Sequence, residues 1–127
     1  MKIKIPFKIL AKPRPRFGKG RAYLPKNYMN QRKAIQAIAQ EHVVTKLKGP
    51  ISFIALFETK GKRVADLEQM TGAIKDALEG ICYYNDAQIC YSYCTHRRNY
   101  ESDEVVITIS ERFGAKEEDF KKINYEL

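Results

Sequence analysis

Three carboxylates, Asp66, Glu68 and Asp86, fall within or beside one stretch of the chain, Lys62 to Asp86, which reads KRVADLEQMTGAIKDALEGICYYND. Carboxylate oxygens are the ligands a hard divalent cation prefers, and two or three converging on one point would hold such an ion while leaving it several waters. The element that must position them is a short amphipathic helix. Leu67, Met70, Ile74, Ala77, Leu78 and Ile81 recur at helical spacing, which predicts an inward face, and Gly80 is placed to end the helix. The outward face carries Glu68, Gly72, Lys75 and Glu79. Asp66 stands at the helix start and Asp86 a short loop beyond its end, so the fold could return Asp86 beside Asp66 and Glu68. Each carboxylate also has an ordinary structural use. Asp66, three residues before Gln69, suits an N-cap; Glu68 in the first turn is favoured by the helix dipole; Asp86 can hold a turn.

The rest of the chain must supply a scaffold for this helix. Lys2 to Ile9 alternates lysine with apolar residues and predicts a half-buried strand, with Pro6 marking an edge. Residues 11–26 contain Pro13, Pro15, Gly18, Gly20 and Pro25, which predicts a mobile basic loop. Asn27 to Lys48 predicts a helix, with Asn27 or Asn30 as its cap and His42 at its surface or core edge, closed by Gly49-Pro50. Ile51 to Thr59 is apolar enough for a buried strand. Ala87 to His96 and Glu104 to Ser110 read as two strands, expected to form a hairpin across the polar turn at 97–103. Residues 113–127 form a charged tail. The order β-loop-α-β-α-β-β predicts a single α/β or α+β domain over residues 1–127, a mixed sheet with two helices packed on it.

At 127 residues and 44% apolar content the chain can build one core and is too short for two ordinary domains. No apolar run approaches a membrane span or a signal core, so a cytoplasmic, membrane-free protein is expected. Cys82, Cys90 and Cys94 form no CxxC pair and read as reduced thiols, not as a zinc site. The net charge of +8 is unevenly spread. Eleven basic and no acidic residues lie between Met1 and Gln40, whereas acidic residues outnumber basic ones from Glu41 onward. A polyanion is the expected partner of the N-terminal third, because phosphates release counterions when Lys and Arg replace them. Lys12, Arg14, Arg16, Lys19, Arg21 and Lys26 are the candidate phosphate contacts, with Phe17 and Tyr23 between them able to stack on unpaired bases.

The carboxylate stretch resembles the RusA-type Holliday-junction endodeoxyribonucleases, whose pattern runs Asp-x-Asp-Asn-Leu-x-Lys, then Asp-Ala-Leu-x-Gly, then Asp-Asp with a Gln-Ile or Gln-Val step. Asp76-Ala77-Leu78-Glu79-Gly80 and Asp86-Ala87-Gln88-Ile89 follow it closely. Counting back, Asp66 falls on the first Asp, Glu68 on the second, Gln69 on the Asn and Gly72 on the Lys, while Asn85 replaces the first Asp of the pair before Asp86. Lys12-Pro13-Arg14-Pro15-Arg16, with Gly20-Arg21-Ala22-Tyr23 and Pro25, looks like the family's basic N-terminal segment. The resemblance spans roughly residues 3–110.

It implies a Mg²⁺-dependent nuclease, with Mn²⁺ as a substitute, that cuts four-way DNA junctions in recombination and repair, often in a phage or prophage setting. Asp66, Glu68 and Asp86 would be the metal ligands and, with Lys75, the catalytic set. Lys75 lies one turn from Gly72 on the same face and could supply the missing cation, its alternative being an ion pair with Glu79 four residues on. Paired, symmetric incision of a two-fold junction implies a homodimer. Two other readings stay open: a catalytically weakened junction or branched-DNA binding protein of the same fold, and a basic RNA-binding module.

Overall fold

The computed structural model describes residues 1–13, 16–18, 20–61, 65–98 and 101–111, with only the backbone of residues 16, 17, 21 and 22. Arg14 and Lys19, and the expected tail at 113–127, lie outside the described residues, as do the side chains of Arg16, Phe17 and Arg21.

Strand β4 (Ile51–Glu58) is the centre of the fold. Its alternate residues Ile51, Phe53, Ala55 and Phe57 are all buried, which fits a strand flanked on both sides and covered on one face. One neighbour is β6 (Glu104–Glu111), antiparallel to it, and beyond β6 lies β1 (Lys2–Ile5) at the edge. The other neighbour is β5 (Ile89–Arg97), which runs parallel to β4 and forms the opposite edge. Helix α1 (Lys26–His42) packs on β1 and on α2 (Leu67–Leu78), and α2 also meets β5. Ile3, Ile5, Val105, Ile107 and Ile109 from the sheet join Ile35 and Ala39 of α1 and Met70, Ala73, Ile74, Ala77 and Leu78 of α2 in one core. The order and the mixed sheet with two helices agree with the fold class read from the sequence, a single α+β domain.

Four expectations are corrected. The expected strands 87–96 and 104–110 are found as β5, which starts at Ile89 after a 3₁₀ turn at Asp86–Gln88, and β6, but they form no hairpin, because β4 lies between them. The parallel β4–α2–β5 unit explains why: α2 is the crossover that parallel neighbours require, and the most apolar strand takes the interior. Residues 11–26 are not all loop: β2 (Arg16–Gly18) and β3 (Arg21–Tyr23) pair antiparallel, with Gly20 in the left-handed region (φ 75°) at the reversal. The first helix ends at His42, not at Lys48, since Val43, Val44 and Thr45 carry β-branched side chains that crowd the preceding turn. Pro25, with φ −55°, precedes its first residue, and neither Asn27 nor Asn30 caps it.

Other local readings hold in whole or in part. The strand expected over Lys2 to Ile9 is edge strand β1 but ends at Ile5, where Pro6, which has no N–H for a ladder, follows it. Gly80 sits just past α2 at φ 85°, a conformation Cβ-bearing residues resist. His42 lies exposed at the end of α1, its Nδ1 2.9 Å from the Ile38 carbonyl oxygen. All three cysteines are free thiols. Cys82 is buried, its thiol pushed up to about 11 chiefly by burial. Among the described residues no helix is long and apolar enough to cross a membrane.

Candidate active site

Helix α2 begins on Asp66, whose Oδ1 accepts hydrogen bonds from the backbone N–H groups of Glu68 (2.9 Å) and Gln69 (3.4 Å). The N-cap expected of this aspartate is formed, both bonds using the same oxygen. Glu68 is exposed one turn in, at the rim of a cleft of ≈ 440 Å³ between α2 and β5. Gly72 and Lys75 continue the α2 wall, and Ser92 and Cys94 of β5 face them. Lys75 extends over the Phe53 ring, 5.1 Å from its centroid, and its ammonium donates to Ser92 Oγ at 2.9 Å. It therefore turns into the cleft and not toward Glu79, whose Oε1 accepts the backbone N–H of Asp86 at 3.2 Å.

Asp86 sits at the far end of α2 in a heavily bonded turn. Gln88 is the hub: its Oε1 accepts from the Tyr84 (2.7 Å) and Asn85 (2.9 Å) N–H groups, and its Nε2 donates to the Leu47 and Gly49 carbonyls, each at 3.0 Å. Asn85 Oδ1 accepts the Ala87 N–H at 2.8 Å. The buried phenol of Tyr83 donates to the Lys75 carbonyl at 2.7 Å and lies 3.5 Å from Asp86 Oδ1, which ties Asp86 to the middle of α2. The Asp86 carboxyl titrates above the usual aspartate range. Its partial burial is the first cause, and the negative charges of Glu79 and Asp76 add to it, against the opposing pull of Lys75 and the Tyr83 hydroxyl. Burial, more than the nearby Asp86 charge, likewise keeps Tyr83 a neutral phenol.

Asp76 is already compensated. Lys12 Nζ lies 2.8 Å from its Oδ2 and Arg32 Nη2 4.0 Å from the same atom. The hydrogen bond to Asp76 is the main reason the Lys12 ammonium holds its proton above the usual lysine range. The backbone N–H of Lys12 donates to the Gln69 carbonyl at 3.1 Å, so the N-terminal arm is docked along α2.

The sequence-predicted residues are thus divided between two places. Glu68 and Lys75 share the cleft with Gly72, and Asp66 caps the helix beside them. Asp86 is seven or eight residues of helix away, beside Lys75 and Asp76, roughly 10–12 Å along the axis from Glu68 at about 1.5 Å per residue. Among the described residues no three His, Cys, Asp or Glu side chains converge on one point. Mg²⁺, however, usually takes one or two carboxylates plus substrate phosphates and keeps several waters. Asp66 with Glu68 at one end of α2, or Asp86 at the other, supplies the one or two exposed hard-oxygen donors that such a site needs, whereas the three as placed do not share one ion. Of the predicted phosphate contacts, Lys26 lies exposed at the start of α1 and Lys12 on α2.

Sequence reasoning missed the roles of Tyr83 and Gln88, and the ion pair that Lys12 makes with Asp76. The Tyr83-Tyr84 pair was a visible signal, but only the fold shows that one ring is buried and bonded while Tyr84 is 54% exposed with the Lys46 ammonium 4.6 Å from its ring centroid. The Lys12–Asp76 contact joins residues 64 positions apart, and no local pattern announces it.

Curated proteins gave no match to this sequence. A comparison with protein families matches residues 6–110 to the family described as endodeoxyribonuclease RusA. That match begins just after β1 and runs to the penultimate residue of β6, including α2, the cleft wall on β5 and the Asp86 turn. With so much of the chain matched, this protein belongs to the RusA endodeoxyribonuclease family.

Proposed function

We propose that this protein is a Mg²⁺-dependent endonuclease that resolves four-way DNA junctions by paired phosphodiester hydrolysis, acting as a homodimer so that two sites face a two-fold substrate. The observation that carries the reading is the combination of the family match with a cleft beside α2 that is lined by Glu68 and Lys75, with Asp66 at the start of the same helix. Hydrolysis requires in-line attack of water on phosphorus, a new P–O bond forming as the bond to the leaving sugar oxygen breaks. Asp66 and Glu68 at one end of α2, or Asp86 at the other, would offer one or two carboxylates to a metal whose shell is completed by substrate phosphate and water, and which when bound supplies a more acidic water and neutralises phosphate charge. Lys75, held by Ser92 and resting on the Phe53 ring, offers a positive charge in the cleft to an incoming phosphate. The Asn85–Gln88 turn and Tyr83 keep Asp86 from drifting, which matters because misplacement by about an ångström can lower a rate by roughly 10²-fold.

The direct test is Mg²⁺-dependent nicking of a synthetic four-way junction against a linear duplex of the same sequence. Preferential, EDTA-sensitive incision of the junction supports the proposal. A second reading, a junction-binding protein with weakened catalysis, is favoured by Gly72 and by the separation of Asp86 from Glu68. Tight junction binding without incision in Mg²⁺ or Mn²⁺ would select it.

A further inference from the structure

Gly72 is where α2 is bare, and another part of the chain uses the space. A Cβ at this position would lie 3.8 Å from Cδ of Lys12, an ordinary van der Waals separation, so the lysine stem passes over Gly72 with room for a methyl group between them. Beyond it the ammonium reaches Asp76 one turn along. The backbone of Lys12 is fixed as well, by its N–H bond to the Gln69 carbonyl. On the other side of Gly72 stands Lys75, bonded to the neutral Ser92 hydroxyl. Two lysines therefore come near the glycine, Lys75 from α2 itself inside the cleft and Lys12 from the N-terminal segment, its stem passing over Gly72 at the cleft's edge.

We propose that Lys12 is a phosphate-contacting residue of this cleft, held beside Gly72 by Asp76 until a nucleic-acid strand enters and its backbone phosphate takes over the ammonium. The inference rests on the nuclease reading and assigns to it a residue outside the carboxylate helix. The energetics of the exchange are favourable. The Lys12 side chain is 51% exposed, and an ion pair of that kind contributes on the order of 0–1 kcal/mol, so releasing it costs little. A lysine–phosphate contact is a charge-assisted hydrogen bond, stronger than a neutral one. Asp76 is not left bare by the exchange, because Arg32 Nη2 remains 4.0 Å away. The Asp86 charge also acts on Lys12 and favours its protonated form, so the ammonium lies within electrostatic reach of the proposed catalytic aspartate.

Lys12→Met keeps most of the stem and removes the charge; Lys12→Arg keeps the charge. Junction affinity is measured against salt concentration in EDTA, where no cleavage occurs, and single-turnover cleavage is measured separately in Mg²⁺. Lys12→Met should flatten the slope of log affinity on log salt by about 0.9 and lower the cleavage rate by on the order of 10²-fold, with Lys12→Arg close to wild type in both. Gly72→Lys in the Lys12→Met background should restore both readouts, since it returns a cation to the same wall. Unchanged slope and rate in Lys12→Met would overturn the proposal, and a lowered melting temperature alongside them would identify a contact that only docks the arm. If the wild-type protein binds junctions but cuts none, the nuclease reading fails, and the salt slope in EDTA alone decides whether Lys12 touches phosphate.

Discussion

The two ends of α2 hold their carboxylates in opposite ways. At the Asp86 end, Gln88 makes four backbone hydrogen bonds, Asn85 a fifth, and the buried Tyr83 hydroxyl links the turn to Lys75. At the other end, among the described residues, Asp66 is held by bonds from its own helix, and Glu68 stands exposed. The difference teaches where precision is built into the molecule before any ligand arrives. Asp86 is preorganised at an electrostatic cost, its carboxyl holding a proton more readily than usual chiefly through partial burial, while Glu68 stands exposed and adjustable.

The strongest way to break this comparison is to change side-chain length at each end under single-turnover conditions. Asp86→Asn should abolish junction cleavage with binding retained or improved. Asp86→Glu should lower the rate by on the order of 10²-fold, because the rigid turn cannot retreat by the extra methylene. Glu68→Asp, at the adjustable end, should change the rate by less than about tenfold. Equal sensitivity at the two ends would remove the distinction. Asp66→Asn sharpens it further: asparagine caps a helix about as well as aspartate, so melting should be unchanged while cleavage is lost. Loss of both would leave Asp66 as a cap alone.

Next in size is a stability effect confined to the bonded end. Gln88→Ala removes bonds to Tyr84, Asn85, Leu47 and Gly49, and with several backbone groups left unpaired the cost should be about 2–4 kcal/mol. Glu68→Ala should cost less than about 0.5 kcal/mol, as a surface substitution without such bonds. Chemical denaturation of both variants checks the pair.

Much of this arrangement was legible in the sequence, and the rest was not, for physical reasons. Helix α2 announces itself because its inner face repeats with the helical period, and Asp66 and Gly80 are ordinary boundary residues. Strand types were readable from apolar alternation, but strand order was not: a run such as residues 89–97 carries no mark of which neighbour it will pair with, and the βαβ crossover placed it beside β4. The short β2–β3 pairing was hidden by the surrounding prolines and glycines, which signal a break in structure and do not say what lies between breaks. At the site, residue types and order were visible, while distance was not. The helix that unites Asp66 with Asp86 in sequence also separates Glu68 from Asp86 by two turns, and the cation beside Gly72 includes Lys12 from the opposite end of the chain as well as the anticipated Lys75.

The smallest expected effect tests the electrostatic cost assigned to the Asp86 end. Folding raises the proton affinity of this carboxyl, so the native state favours its protonated form relative to the unfolded chain. Stability from this group is greatest below the unfolded aspartate value, near 3.9, and is lost as pH rises through the native value. Asparagine carries no such penalty. In EDTA at neutral pH, Asp86→Asn should therefore melt slightly above wild type, and the difference should vanish as pH falls below about 4. Addition of Mg²⁺ should then raise the melting temperature of wild type more than that of Asp86→Asn, because a ligand that binds only the native state stabilises it in proportion to its occupancy. A variant that melts no higher than wild type in EDTA would show that the turn holds Asp86 without strain. A shift with Mg²⁺ equal in both proteins would show that the ion is held by other carboxylates.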